Sequence, residues 1–221
     1  GRKLALPTWV DGRWASRRSG YLAADEVTDA ALDLLDELGA ADTLLYLHYF
    51  DPHDPYQQHP LPLLPTHPEF DEESVDELVA RYDGEVAFLD AQLGRLLDGL
   101  SARGVYDEAL IVVTADHGEE FLDHGGWLHG ASLYEELVRV PLLLRLPGGR
   151  RPDAVATEAS LVDLLPTVAH AVGLAVPPDL DGVDLIRPSR GERGPRVYER
   201  IQQGLWMAGV RRGVLDVIAR L

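Results

Sequence analysis

Apolar residues Val27, Ala31, Leu34, Leu35 and Leu38 recur at the three-and-four spacing of one helical face, and Gly39 then interrupts them, so a helix is predicted up to that glycine. The next apolar run, Thr43 to Phe50, is short and rich in aromatic and aliphatic residues, and it reads as a strand. Residues 51 to 70 carry six prolines among polar, aromatic and histidine positions, which excludes regular structure and predicts a functional loop. A second helical stripe follows at Val75, Leu78, Val79, Tyr82, Val86, Leu89, Leu93, Leu96, Leu97 and Leu100. Its acidic start, Asp71-Glu72-Glu73, suits the positive end of a helix dipole, and its stop falls near Gly104.

Ala109 to Thr114 is a β-branched run between turn residues, as expected of a strand buried on both faces of a parallel sheet. Ser132-Leu133-Tyr134-Glu135 has capping-box spacing and predicts a short helix, and Val140 to Leu146 predicts another buried strand, ended by Pro147-Gly148-Gly149. Ser160-Leu161-Val162-Asp163 repeats the helix-start signal. Pro166 lies too deep for the first helical position, so a kink or a later start is expected there, and Gly173 ends the helix. A Pro/Asp/Gly loop covers 177 to 191, and Arg196 to Ile201 and Val214 to Ala219 read as closing strands. Strands alternating with helices predict an α/β fold: a mostly parallel central sheet flanked by helices.

With 221 residues, 46% of them hydrophobic and 26% charged, the chain has the composition of an ordinary globular domain. The formal charge of −17, with no basic cluster beyond pairs such as Arg17-Arg18 and Arg211-Arg212, argues against nucleic acid or an anionic membrane as partner. The lack of cysteine removes disulfides and thiolate chemistry and leaves the compartment undetermined. Apolar runs such as Val140 to Leu144 are far shorter than the roughly 20 residues of a spanning helix, and the amino terminus has no signal-like apolar segment.

The chemistry concentrates in Thr114-Ala115-Asp116-His117-Gly118-Glu119-Glu120, followed by Asp123-His124-Gly125 and His129-Gly130. Asp116 and His117 stand just past the carboxyl end of a predicted strand, the edge where open α/β sheets bind ligands. Neighbouring strand residues point to opposite faces, so the two can share one ion only where the chain leaves strand geometry, a departure that Gly118 permits. A carboxylate with an imidazole suits Zn, Mn, Fe or, less typically, Ca, and two ligands need others to complete the set. In the earlier loop, His53 lies between Pro52 and Pro55 beyond the first strand, where an imidazole can hold an anionic ester oxygen or give a proton to a departing alcohol. His48, inside the strand run, is expected to pack or support.

Taken in order, residues 46 to 56 (Tyr-Leu-His-Tyr-Phe-Asp-Pro-His-Asp-Pro-Tyr), Arg81 to Val86, Leu89 to Gly94, Thr114 to Glu120, His124-Gly125, His129-Gly130 and Leu133 to Leu142 resemble the sulfatase family of the alkaline-phosphatase superfamily. Ser160 to Thr167 and the Leu180 to Leu185 loop extend the likeness across nearly the whole chain. The resemblance implies a three-layer α/β sandwich and a divalent cation held in part by Asp116 and His117. Calcium is the expected ion, with manganese, iron or zinc as in related phosphonate and phosphate ester hydrolases. His53 and His129 take the catalytic and substrate-contacting positions: His53 assists the leaving group, and His129 stands where many relatives neutralise the transferred group with a lysine. His124 supports the loop, and Glu119 and Glu120 are taken as a solvated or supporting acidic pair.

The family's opening pair of aspartates and its Cys/Ser-x-Pro-x-Arg nucleophile motif have no counterpart in these residues. Residues 1–221 are therefore expected to be part of a sulfatase catalytic domain that needs its missing N-terminal portion as partner and is inactive alone. The implied substrate is a small-molecule or glycan sulfate ester. A phosphonate or phosphate ester hydrolase on the same scaffold, or a noncatalytic module, are the alternatives.

Overall fold

The computed structural model describes residues 22–39, 42–54, 56, 72–150, 158–187, 196–202, 205–212 and 215–220. The chain forms two compact units, Gly1–Tyr106 and Asp107–Leu221. The prolines expected to shape the loop from 57 to 70, Asp71 at the acidic helix start, Val214, and the end of the loop from 188 to 191 lie outside the described residues.

In the first unit both amphipathic stripes become helices, α1 (Ala24–Leu38) and α2 (Glu72–Ala102). Val27, Thr28 and Ala31 of α1 and Leu78, Leu96 and Leu100 of α2 are buried. Removing a side chain the size of Val27 from water contributes about 1.5–3 kcal/mol. The rims are ionic: Arg95 reaches Asp29 at 2.6 Å, and Arg103 grips both Asp36 oxygens at 2.7 Å each. At the start of α1, where backbone N–H groups lack intrahelical partners, Ala24 N donates to Asp51 Oδ1 at 3.0 Å and Ala23 N to Glu26 Oε2 at 3.1 Å.

Among the described residues, the predicted strand from Thr43 to Phe50 is not formed as a strand. Its geometry still has a period of two: Leu44, Tyr46 and His48 are exposed, Leu45, Leu47 and Tyr49 less so, and His48 meets Tyr46 and Phe50 on one side. Tyr49 turns inward, where its hydroxyl lies 3.0 Å from Thr28 Oγ1, and burial raises its pKa above the ordinary phenol value.

In the second unit, β1 (Ile111–Thr114) and β4 (Leu142–Arg145) match two predicted strands but pair antiparallel, with Ile111 opposite Arg145 and Thr114 opposite Leu142. This corrects the expected parallel, doubly buried β1, whose residues are only partly buried or exposed. The reason lies in the connection. A parallel return needs a long crossover, usually a helix, whereas residues 115–141 hold only the two-residue strands β2 (Glu120–Phe121) and β3 (Trp127–Leu128) and the four-residue α3 (Glu135–Val138). Arg145 anchors the end of β4 through the Asp107 carboxylate at 3.0 Å and the Ala109 carbonyl at 3.2 Å.

Pro166 is accommodated by a later start. A 3₁₀ turn covers Leu161–Asp163 and α4 begins at Leu164, so the proline falls in the first turn, where its missing N–H leaves no intrahelical bond unmade. Three strands close the chain, β5 (Arg196–Gln202), β6 (Leu205–Arg212) and β7 (Leu215–Arg220), in an antiparallel meander. The sequence reading found its outer strands and missed β6. All sheet pairing among the described residues is antiparallel.

Candidate metal and ester site

The chain leaves β1 at Thr114, whose Oγ1 donates to the Pro141 carbonyl at 2.8 Å and so pins the strand's carboxyl end. Asp116 and His117 follow at once. Asp116 is open to solvent, with its side chain 81% exposed, and its Oδ1 accepts the His117 backbone N–H at 3.1 Å. His117 Nδ1 lies 2.8 Å from the Gly118 carbonyl. A carbonyl only accepts, so this nitrogen carries the proton, and the neutral ring presents its lone pair at Nε2. That is the tautomer of a metal-ligating histidine, whose other ring nitrogen is bonded to a carbonyl or carboxylate. Nε2 stands 3.9 Å from Asp116 Oδ1, a gap that one cation with bonds of about 2.0–2.4 Å to each donor can span.

Gly118 serves this geometry differently from the role expected of it. A methyl group at residue 118 would run into the Glu136 carbonyl, and Gly118 N donates to Leu137 O at 2.8 Å. Glycine is required for close approach to α3.

The β2–β3 ribbon brings the next imidazole in. With Glu120 opposite Leu128 and Phe121 opposite Trp127, Glu119 and His129 occupy the following positions of the two chains. His129 Nδ1 lies 2.9 Å from Glu119 Oε1, and the His129 ring stacks on His117 with centroids 4.1 Å apart and 26° between planes. Leu128, immediately before it, has φ of 60°, a left-handed conformation that costs a branched residue energy and is tolerated where the surroundings impose it.

Glu119 and Glu120 are not a solvated pair. The Glu119 side chain is 4% exposed, and Glu120 is buried. Glu120 accepts the backbone N–H of His124 at 3.1 Å and of Gly126 at 2.7 Å, and the Ser132 hydroxyl at 3.2 Å. Ser132 is thus drawn away from the predicted capping role, and α3 starts at Glu135 behind Tyr134 with no side-chain cap. His124 supports the loop as expected, stacking on Tyr134 at 3.8 Å with Nδ1 2.7 Å from Glu136 Oε1.

Among the described residues, Glu120, His124 and Glu136 also place one donor each within 4.8 Å of one another. These donors are already engaged. Glu120 staples three loop positions and His124 is bonded directly to Glu136, so the trio fits a scaffold better than an ion.

His53, in the first unit, has a geometry of its own. Its ring stacks on Phe50 at 4.3 Å, its backbone N–H donates to Phe50 O at 3.0 Å, and Nδ1 lies 2.6 Å from the Asp54 carbonyl. The structure brings together Asp116, His117 and His129. Sequence reasoning missed the Glu119–His129 pair, for which the signal was cross-strand registry across a ribbon too short to show periodicity.

The sulfatase family model matches residues 4–174. Over 117 residues the chain is 34% identical to mouse (Mus musculus) arylsulfatase K, covering 53% of this chain and 21% of that protein. It is 33% identical over 141 residues to choline-sulfatase of Rhizobium meliloti, covering 62% of this chain and 27% of that protein. These stretches are well under two thirds of the relatives' length. A phosphonate monoester hydrolase from Silicibacter pomeroyi has a similar fold, with a TM-score of 0.71 at 22% identity over 99% of this chain and 57% of that one.

Proposed function

We propose that this chain, which belongs to the sulfatase family, contributes to a sulfuric ester hydrolase the side chains that hold a divalent cation and the ester. The observation that carries this reading is the geometry at His117, with Nδ1 2.8 Å from the Gly118 carbonyl and Nε2 3.9 Å from the Asp116 carboxylate, beside the stacked His129 ring. Asp116 and His117 are the residues that would hold the cation. Calcium is the choice that follows from the family and suits the carboxylate, while the imidazole also suits manganese, iron or zinc. When bound, such an ion supplies Lewis-acid stabilisation of the charge that grows on the ester oxygens.

The chain's own groups do the remaining work. His129 offers a hydrogen bond, and in its protonated form a positive charge, to an oxygen of the transferred group. His53 gives a proton to the departing alcohol, with its ring oriented by Phe50 and the Asp54 carbonyl. The substrate is a small-molecule or glycan sulfate ester. The apolar run from Thr43 to Phe50 would supply one strand of the mostly parallel central sheet that the sulfatase reading implies.

The test is hydrolysis of paired aryl sulfate and aryl phosphonate esters by the full-length protein. Sulfate turnover that is lost in Asp116→Ala and His117→Ala is the expected result. Phosphonate turnover in preference would move the reading to a phosphonate ester hydrolase, and wild-type turnover in either variant would remove the cation assignment.

A further inference from the structure

We infer that Glu119 is the positioning residue of His129, setting the ring's orientation and which of its nitrogens carries the proton. This deepens the sulfatase reading and rests on it for its catalytic meaning, but the structural claim stands apart. Three observations carry it. Glu119 is a carboxylate with only 4% of its side chain exposed, on a segment that also carries the proposed cation ligands. A buried carboxylate is retained at a cost of several kcal/mol unless hydrogen bonds compensate it. Its Oε1 lies 2.9 Å from His129 Nδ1, and the two residues follow directly on the β2–β3 register, so the backbone presents one to the other.

The third observation is the direction of constraint. The His129 ring is held flat against His117 at 4.1 Å, after a leucine in a left-handed conformation, so its freedom is restricted on the face by stacking and on the edge by the carboxylate. With the Glu119 oxygen as acceptor, Nδ1 is the ring nitrogen that carries the proton of this hydrogen bond. Nε2, on the ring edge away from Glu119, then has one fixed direction and, in the neutral ring, one fixed role as acceptor. Preorganisation of this kind sets the placement of a group meant to meet developing charge.

The experiment reads the tautomer directly. Long-range ¹H–¹⁵N spectra of the histidine rings, recorded at high pH where imidazoles are neutral, are compared among wild type, Glu119→Leu and Glu119→Gln, with His124 and His170 as internal reporters of fold. Wild type is expected to show His129 as the Nδ1–H form. Glu119→Leu should shift it toward the Nε2–H form that free histidine favours, and Glu119→Gln, which keeps an acceptor oxygen of the same shape, should retain much of the Nδ1–H form. A wild-type His129 in the Nε2–H form overturns the inference even where Glu119→Leu fails to fold, and so does an unchanged tautomer in a folded Glu119→Leu. In the enzyme assay, Glu119→Leu should lower kcat by about tenfold or more, with KM changed less and Glu119→Gln in between. Absence of any sulfate turnover in wild type would sink the functional reading and leave the tautomer result intact.

Discussion

Two regions of the second unit use the same parts for different ends. In the segment from 160 to 185, Asp163 is 3% exposed and accepts the backbone N–H groups of Ser160 and Val183 at 2.8 Å each, Thr167 Oγ1 accepts from Leu185 N at 2.9 Å, and His170 is paired with Asp184. In the segment from 114 to 138, Glu120 is equally buried and accepts from His124, Gly126 and Ser132, while His129 is paired with Glu119. A buried carboxylate beneath a loop and a histidine–carboxylate pair are therefore fastening devices and do not themselves mark chemistry. What distinguishes the second region is its outward-facing remainder. Asp116 is open to solvent, and His117, with Nδ1 committed, turns Nε2 toward that carboxylate beside a second imidazole.

The sharpest way to break this comparison is to separate activity from stability. Asp116→Ala removes an exposed side chain, so its melting temperature should match wild type. Loss of the several kcal/mol of transition-state stabilisation that a bound cation supplies corresponds to about 10³-fold or more in kcat/KM on a sulfate ester. The mirror image is Asp163→Ala. It strands two part-buried N–H groups and should cost about 1–3 kcal/mol in a denaturant titration, without changing cation binding at His117. Glu120→Gln belongs with Asp163, costing about 1–3 kcal/mol through its weakened bonds to the loop. A large loss of cation binding with unchanged stability in Glu120→Gln would instead promote the Glu120, His124, Glu136 group to a metal site.

The smallest effect lies in the first unit. The hydrogen bonds from Arg103 hold the Asp36 carboxyl below its ordinary value. A group whose folded pKa is depressed stabilises the fold above its unfolded value and loses that contribution as pH falls through the folded one. Arg103→Ala should therefore remove a small stabilisation that is present at neutral pH and fades as pH falls through the folded Asp36 pKa, so the acid limb of stability against pH flattens slightly. Thermal melts from pH 2 to pH 7 would check it.

The long helices were legible because their apolar stripes run for several turns, and the stops at Gly39, Gly104 and Gly173 followed from the same patterns. The direction of β1 was not, because Ala109 to Thr114 has the composition of a buried parallel strand whatever its partner. The informative signal was the region after it, where residues 115–141 contain no amphipathic stripe long enough for a crossover helix. β6 was missed because Trp206, Met207, Ala208 and Gly209 do not alternate in polarity. At the site, Asp116, His117 and His129 were visible as residue types at a strand end. The roles of Glu119, Glu120 and Ser132 depend on loop contacts across several residues, which no local pattern encodes.

A Mn²⁺ titration of the protein, followed through its histidine ring signals, tests most directly whether Asp116 and His117 hold a cation. Paramagnetic broadening should appear first at His117 and the adjoining His129, leave His170 sharp, and vanish in Asp116→Ala. Broadening centred on His124, or spread equally over His117 and His170, would contradict that assignment.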